Sequence, residues 1–230
     1  DLVGCAFPGH IRRLNPTSAT GPQPPGKVSS VGPGTKGARV FHGQVRKGRG
    51  DLLFARLWLL GEGETETILF EGVAELLGFD LDQLGIVCVP YRDIGSIDSV
   101  LNLADELGIA WFAIPDDDAR QGKPDQVKVL ARKSYGTRGT MRVLPDDGPE
   151  EYLWRNGYQA TYVGLVPRGA RHQLPPTTDP SYFKRVIGCV ENEVGKPGAA
   201  REIVRLMATS QRPVELFDAI SDCVVFARGL

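Results

Sequence analysis

Cysteine and histidine are scarce here, with four and three residues in a chain of 230. Cys5, Cys88, Cys189 and Cys223 have no short spacing between them, which excludes a disulfide framework or a thiolate metal knuckle, so buried free thiols are expected. His10, His42 and His172 are too scattered to form a zinc site. No apolar run is long enough to span a bilayer, and the N-terminus lacks the basic-then-apolar pattern of a signal peptide, so a cytoplasmic protein without membrane contact is expected. Internal repeats and heptad runs are absent too. Gly32-Pro33-Gly34-Thr35-Lys36-Gly37 lacks the G-x-x-x-x-G-K-[ST] spacing of a phosphate-binding loop and follows no apolar strand, so these residues hold no ATPase site.

Hydrophobic residues make up 41% and charged residues 24%, as in ordinary soluble domains, and the length suits one or two of them. The net charge of −1 conceals an asymmetry. Residues 1–60 carry nine Lys/Arg against two acids, residues 61–118 carry only Arg92 against fourteen acids, and residues 119–143 carry seven against Asp125 alone. An acidic centre between basic flanks suits a metal site beside a surface that meets phosphate, although Lys128, Arg132 and Lys133 also fit the solvated face of a helix.

Proline-rich residues 1–44 read as a linker or edge segment. From Leu52 to Val143 the patterning predicts a strand over 52–60, a helix over 64–77, a strand over 85–90, a helix over 96–107 and a strand over 109–114. An amphipathic segment around 123–133 and a short strand near 140–144 follow. Ser96 is placed as an N-cap, with Gly78 and Gly108 as helix C-caps, and Tyr91–Ile94 as a loop. The βαβα order implies a mostly parallel sheet covered by helices, with residues 150–230 largely helical.

Two acidic motifs then fall at the carboxyl edge of the sheet, where open α/β folds bind ligands. Glu62 closes the run Leu57-Trp58-Leu59-Leu60-Gly61, and Glu66 follows one helical turn later. Asp116 and Asp118 close Ile109–Pro115, two residues apart and therefore on one face of an extended chain. Carboxylates gathered in a small volume raise one another's pKa, a conflict that a hard divalent cation removes; all-oxygen ligation favours magnesium, manganese or calcium.

Glu62-Gly63-Glu64-Thr65-Glu66 after an apolar strand, with a later Asp-x-Asp, resembles the Toprim domain of topoisomerases, primases and nucleases. Arg49-Gly50-Asp51-Leu52-Leu53-Phe54-Ala55-Arg56 ahead of it, and Glu151-Tyr152-Leu153-Trp154 and Gly195-Lys196-Pro197 after it, look like the overcoming-lysogenization-defect (OLD) ATP-dependent endonucleases. The resemblance covers roughly residues 45–230. It implies an α/β, Rossmann-like Toprim fold with a C-terminal helical region, and DNA cleavage with two magnesium or manganese ions. The metal ligands it implies are Glu62, Glu66, Asp116, Asp118 and Glu150. Glu62 would also act as a general acid/base, as in topoisomerase-type domains, and Lys196 would steady charge on the scissile phosphate. Arg46, Lys47, Arg49 and Arg56 would hold the DNA backbone, with strand anchoring as the other role for Arg56. Relatives carry an apolar residue at Gly61, where glycine is expected to loosen the strand, and a glycine at Asp117.

Three regions are therefore expected: 1–44 as a linker or the tail of a preceding ATPase domain, 45–148 as the Toprim catalytic core, and 149–230 as the helical remainder of the nuclease region. A start at Asp1 without methionine fits a fragment of a longer chain, in which ATP would act only through the absent domain and a homodimer is one form of assembly. The rival readings are a degenerate Toprim module that binds metal or DNA without cutting, and another Toprim chemistry such as primer synthesis.

Overall fold

The structure, a computed structural model, describes residues 12–15, 27–30, 43–44, 49–115, 139–145 and 148–230. Strands β1 (Arg12–Asn15) and β2 (Lys27–Ser30) pair antiparallel as a small separate sheet. The main sheet has four strands: β3 (Leu57–Gly61), β4 (Ile86–Pro90), β5 (Ala110–Ala113) and β6 (Gly139–Met141). Their order is β4-β3-β5-β6, and every neighbouring pair is parallel. Helix α1 (Asp51–Phe54) precedes β3, and α2 (Glu64–Leu76) links β3 to β4. Helices α3 (Tyr91–Ile94) and α4 (Ile97–Leu107) then carry the chain back past β3 to β5. The sheet order reverses direction between β3 and β5, which makes their carboxyl ends the topological switch point.

Every residue of β3 is buried, because helices cover both sheet faces. Leu57 and Leu59 enter the core of α2 and the C-terminal helices, whereas Trp58 and Leu60 enter the core of α1 and α4, as the two-residue period of a strand requires. Helix α2 opens on an extended Gly63, with Glu64 and Glu66 in its first turn, where acids suit the positive end of the helix dipole. Ser96 Oγ accepts the Ser99 amide at 3.3 Å and Gly108 caps α4 at φ 66°, as expected, whereas the C-cap of α2 is Leu77, with Gly78 following at φ 79°.

Two further local expectations change. Residues 51–54 form a helical turn, not the start of a strand. Leu52 and Leu53 are adjacent and both buried on the α4 side, which alternating strand positions could not achieve, and the Leu52 carbonyl accepts the Trp58 indole N–H at 3.0 Å. Tyr91–Ile94 is a helical turn, not a loop. Gly195-Lys196-Pro197 opens a long helix; Pro197 is tolerated in its first turn, where amides have no intrahelical acceptor. The segment expected at 123–133 lies outside the described residues.

Residues 149–230 are largely helical, as expected. Helix α5 (Pro149–Leu153) passes through an irregular turn at 154–158, where Gly157 has φ 96°, into α6 (Gln159–Leu165). Helices α7 (Arg168–Arg171), α8 (Tyr182–Glu193), α9 (Gly195–Met207) and α10 (Val214–Arg228) follow. Val186, Val190, Ile203, Met207, Ile220 and Val224 share one core with Leu57, Leu59 and Phe70, so these helices are a layer on the sheet. Cys88 and Cys223 are free and buried, and burial pushes the Cys223 thiol up to about 12. Among the described residues no helix is long and apolar enough to cross a membrane.

Tyr152 fastens α5 to α10. Its buried hydroxyl donates to Glu215 Oε2 and accepts the Leu216 amide, both at 3.1 Å. Tyr152→Phe removes both bonds and leaves the amide dry, so it should lower the free energy of unfolding by about 1–2 kcal/mol. Urea titration is the measurement: the midpoint falls while the slope is unchanged.

Candidate functional site

The carboxyl end of β3 places Glu62 in the turn between strand and helix, and the fold brings α2 back at once. A Cβ on Gly61 would lie 2.8 Å from Glu66 Cβ and 2.9 Å from the Phe70 ring, so only glycine lets α2 approach this closely. Gly61 therefore does not loosen the strand as expected; it is the last residue of a fully buried one.

Glu66 is the better buried of the two motif glutamates, 7% exposed. Its Oε2 accepts the Gly63 amide at 3.0 Å, so the carboxylate caps its own helix. Burial is the main cause of its raised pKa; the amide bonds oppose the shift, the neighbouring Glu150 adds to it, and Lys196 opposes it. Glu150 arrives from the first turn of α5 and Lys196 from the first turn of α9. Lys196 Nζ stands 3.4 Å from Glu150 Oε1, an oxygen that is buried and makes no hydrogen bond. The contact is thus a charge pairing without hydrogen-bond alignment. Three segments far apart in the chain, at 66, 150 and 196, meet at one place.

Glu62 turns elsewhere. Its carboxylate pairs with the Arg92 guanidinium, and its carbonyl accepts the Arg92 amide at 3.2 Å. The third acid of the motif, Glu64, is exposed and meets Arg201 at 3.2 Å. Asp116 and Asp118 lie outside the described residues, as do Arg46 and Lys47. The chain leading to the aspartates keeps the β3 register, with Leu57 opposite Ala110 and the Ile114 amide donating to Leu60 O at 2.9 Å.

Arg49 and Arg56 do not join this group. Arg49 pairs with Asp51 at 3.3 Å and donates to the Cys88 carbonyl at 3.2 Å, along β4. Arg56 precedes β3, at its amino end; its side chain packs on Gly85 and donates to Ala227 O at 3.4 Å, the anchoring role. Arg92 escaped the sequence reading as a site residue. Its signal was that it is the lone cation in residues 61–118, one position past the residue that the parallel register sets beside Glu62.

Chemically, Glu66 and Glu150 form an oxygen-only donor set with surplus negative charge, and one buried oxygen lacks a donor. That set fits a hard divalent cation. Among the described residues, no group of three or more His, Cys, Asp or Glu side chains is arranged to hold a metal ion, so the two glutamates are at most part of a ligand shell.

An open parallel sheet with carboxylates at its switch point is the architecture of the α/β domains that bind ligands at the carboxyl ends of their strands. The family model described as "overcoming lysogenization defect protein-like, TOPRIM domain" matches residues 53–118, so this stretch is similar to the Toprim domain of OLD proteins. Among solved structures, the C-terminal region of the Burkholderia pseudomallei OLD protein superposes with a TM-score of 0.54 at 18% identity, covering 74% of this chain and 99% of that one. The corresponding region of the Xanthomonas campestris pv. campestris OLD protein gives 0.52 at 19%, covering 78% and 99%. At these identities the likeness is one of fold. YbjD of Escherichia coli (strain K12), described as uncharacterized, is 27% identical over 192 residues. The match takes in 82% of this chain and 33% of YbjD, so the chain spans about a third of that relative's length.

The raised pKa of Glu66 has a measurable sign. The folded protein holds this proton more tightly than the unfolded chain, so the stability it contributes is full below 4.5 and is lost as pH rises through the folded value. Glu66→Gln, which keeps an acceptor for the Gly63 amide, should melt above the wild type near neutral pH without divalent ions. The gap should narrow as pH falls toward 4.5. Melting temperatures across that range in chelator check it; a gap independent of pH would show that the carboxylate is not destabilised by burial.

Proposed function

We propose that this Toprim domain is the catalytic part of a divalent-metal-dependent DNA endonuclease that hydrolyses phosphodiester bonds. The observation that carries the reading is the meeting of Glu66, Glu150 and Lys196 beside the β3 switch point, in a domain similar to that of OLD proteins. In this reading Glu66 and Glu150 bind metal together with Glu62, Asp116 and Asp118. Two magnesium or manganese ions, about 4 Å apart in enzymes of this kind, supply an activated water and charge stabilisation at the leaving oxygen. Glu62 also serves as a proton acceptor or donor.

The chain's own groups divide the remaining work. Glu66, Glu150 and Lys196 all stand in the first turns of their helices, where amides without intrahelical acceptors favour negative charge. Lys196, half-exposed beside Glu150, can exchange that carboxylate for a phosphate oxygen on which charge develops. The substrate is DNA, with the basic residues Arg46, Lys47 and Arg49 near its backbone. ATP acts only through an ATPase domain outside this chain, and the protein works in the cytoplasm. A homodimer is compatible with this arrangement.

Supercoiled plasmid incubated with the protein and magnesium or manganese should yield nicked and linear forms, and chelator should stop the reaction. Lys196→Ala should slow it about 100-fold in protein that circular dichroism shows to be folded. Folded protein that leaves plasmid intact in both metals would favour the rival reading, a module that binds without cutting.

A further inference from the structure

We propose that Arg92 is a second phosphate-binding cation of this site, parked on Glu62 while no divalent ion is bound and released to a phosphate oxygen of the DNA strand when an ion takes that carboxylate. The proposal rests on the reading of the site as a divalent-cation site. Its grounds are the placement and exposure of the residue.

Arg92 is the single lysine or arginine in residues 61–118, and its guanidinium sits on the strand-end glutamate. Fold topology puts it there. The parallel register sets Gly61 beside Pro90, so the residues leaving β3 and β4 emerge side by side. The backbone is held in place. The Arg92 amide donates to Glu62 O at 3.2 Å, the Gly95 amide closes the α3 turn on Tyr91 O at 2.8 Å, and Gln44 Nε2 donates to Asp93 O at 3.3 Å.

The side chain, in contrast, is 70% exposed, while the Glu62 side chain is 13% exposed. An ion pair with one partner in solvent is weak and readily exchanged, whereas a divalent ion on a mostly enclosed carboxylate is not. The long guanidinium stem can therefore leave Glu62 without any movement of the backbone. Once free, it presents a planar pair of N–H donors, the geometry that matches phosphate. Lys196 stands in the same relation to Glu150, a partly exposed cation resting on a mostly buried carboxylate. The site thus carries two cations balanced by its own acids until those acids are claimed.

Two titrations test the exchange. Calorimetry with manganese should show Arg92→Ala binding the ion about 3- to 10-fold more tightly than the wild type, because a competing cation is gone, with Arg92→Lys in between. Binding of a short DNA duplex in calcium should weaken in Arg92→Ala, and the slope of log affinity against log salt should fall in magnitude by about one. Equal or weaker manganese binding by Arg92→Ala overturns the exchange, and an unchanged salt slope overturns the phosphate role. If the wild type binds no manganese, the divalent-cation reading itself fails and the proposal with it; if it binds manganese and Arg92→Ala matches it, the Arg92 proposal alone fails. With this side chain exposed, both variants should fold as the wild type does, and circular dichroism of both checks that.

Discussion

Strand β3 is covered on both faces and paired on both edges, and the rest of the molecule takes its position from that enclosure. A strand with no exposed side can be built only from small or apolar residues, and its polar continuation must wait until the chain leaves the sheet. Glu62 comes directly after the last buried position. Gly61 lets the following helix fold back within van der Waals distance, so that Glu66 is drawn below the surface while Glu62 remains at the rim. One close approach thus divides two similar glutamates into one capped within its own helix and one at the rim that faces Arg92.

That division has electrostatic consequences. Glu66 is held by an amide of its own helix and repelled by Glu150, and Lys196 with the amides at the start of α2 offsets part of that cost. Glu62 meets Arg92 instead. Each carboxylate at the rim therefore has a cation that is partly in solvent, and each such pair is weak enough to open. Charge imbalance of this kind, with a desolvated carboxylate in a cluster, is a mark of functional sites.

The C-terminal helices matter to the site through packing. Tyr152 ties α5 to α10, and the same short helix presents Glu150 two residues earlier. Val204 of α9 crowds Gly72 of α2, where a Cβ would lie 2.3 Å from its methyl, so the helix that carries Lys196 is seated directly on the helix that carries Glu66. Site geometry is thereby coupled to the main core.

Much of this was legible in the chain. Apolar runs at 57–60 and 110–113, separated by helical stripes with Ser96 and Gly108 at a helix's ends, follow from local periodicity and cap chemistry, which act over a few residues. The helix at 51–54 was hidden because consecutive buried leucines read alike in strand and helix until Trp58 supplies the hydrogen bond that decides between them. The glutamates at 62, 66 and 150 and the lysine at 196 could be named from motifs, but which of them meet could not. The sequence by itself determined the alternation of strand and helix, the acidic centre and the class of chemistry its oxygens favour, since each depends on residue type and short spacing. Only the tertiary structure decided that Glu66 pairs its fate with Glu150 and Lys196 while Glu62 faces Arg92, because those encounters depend on parallel register and on helix packing between segments up to 130 residues apart.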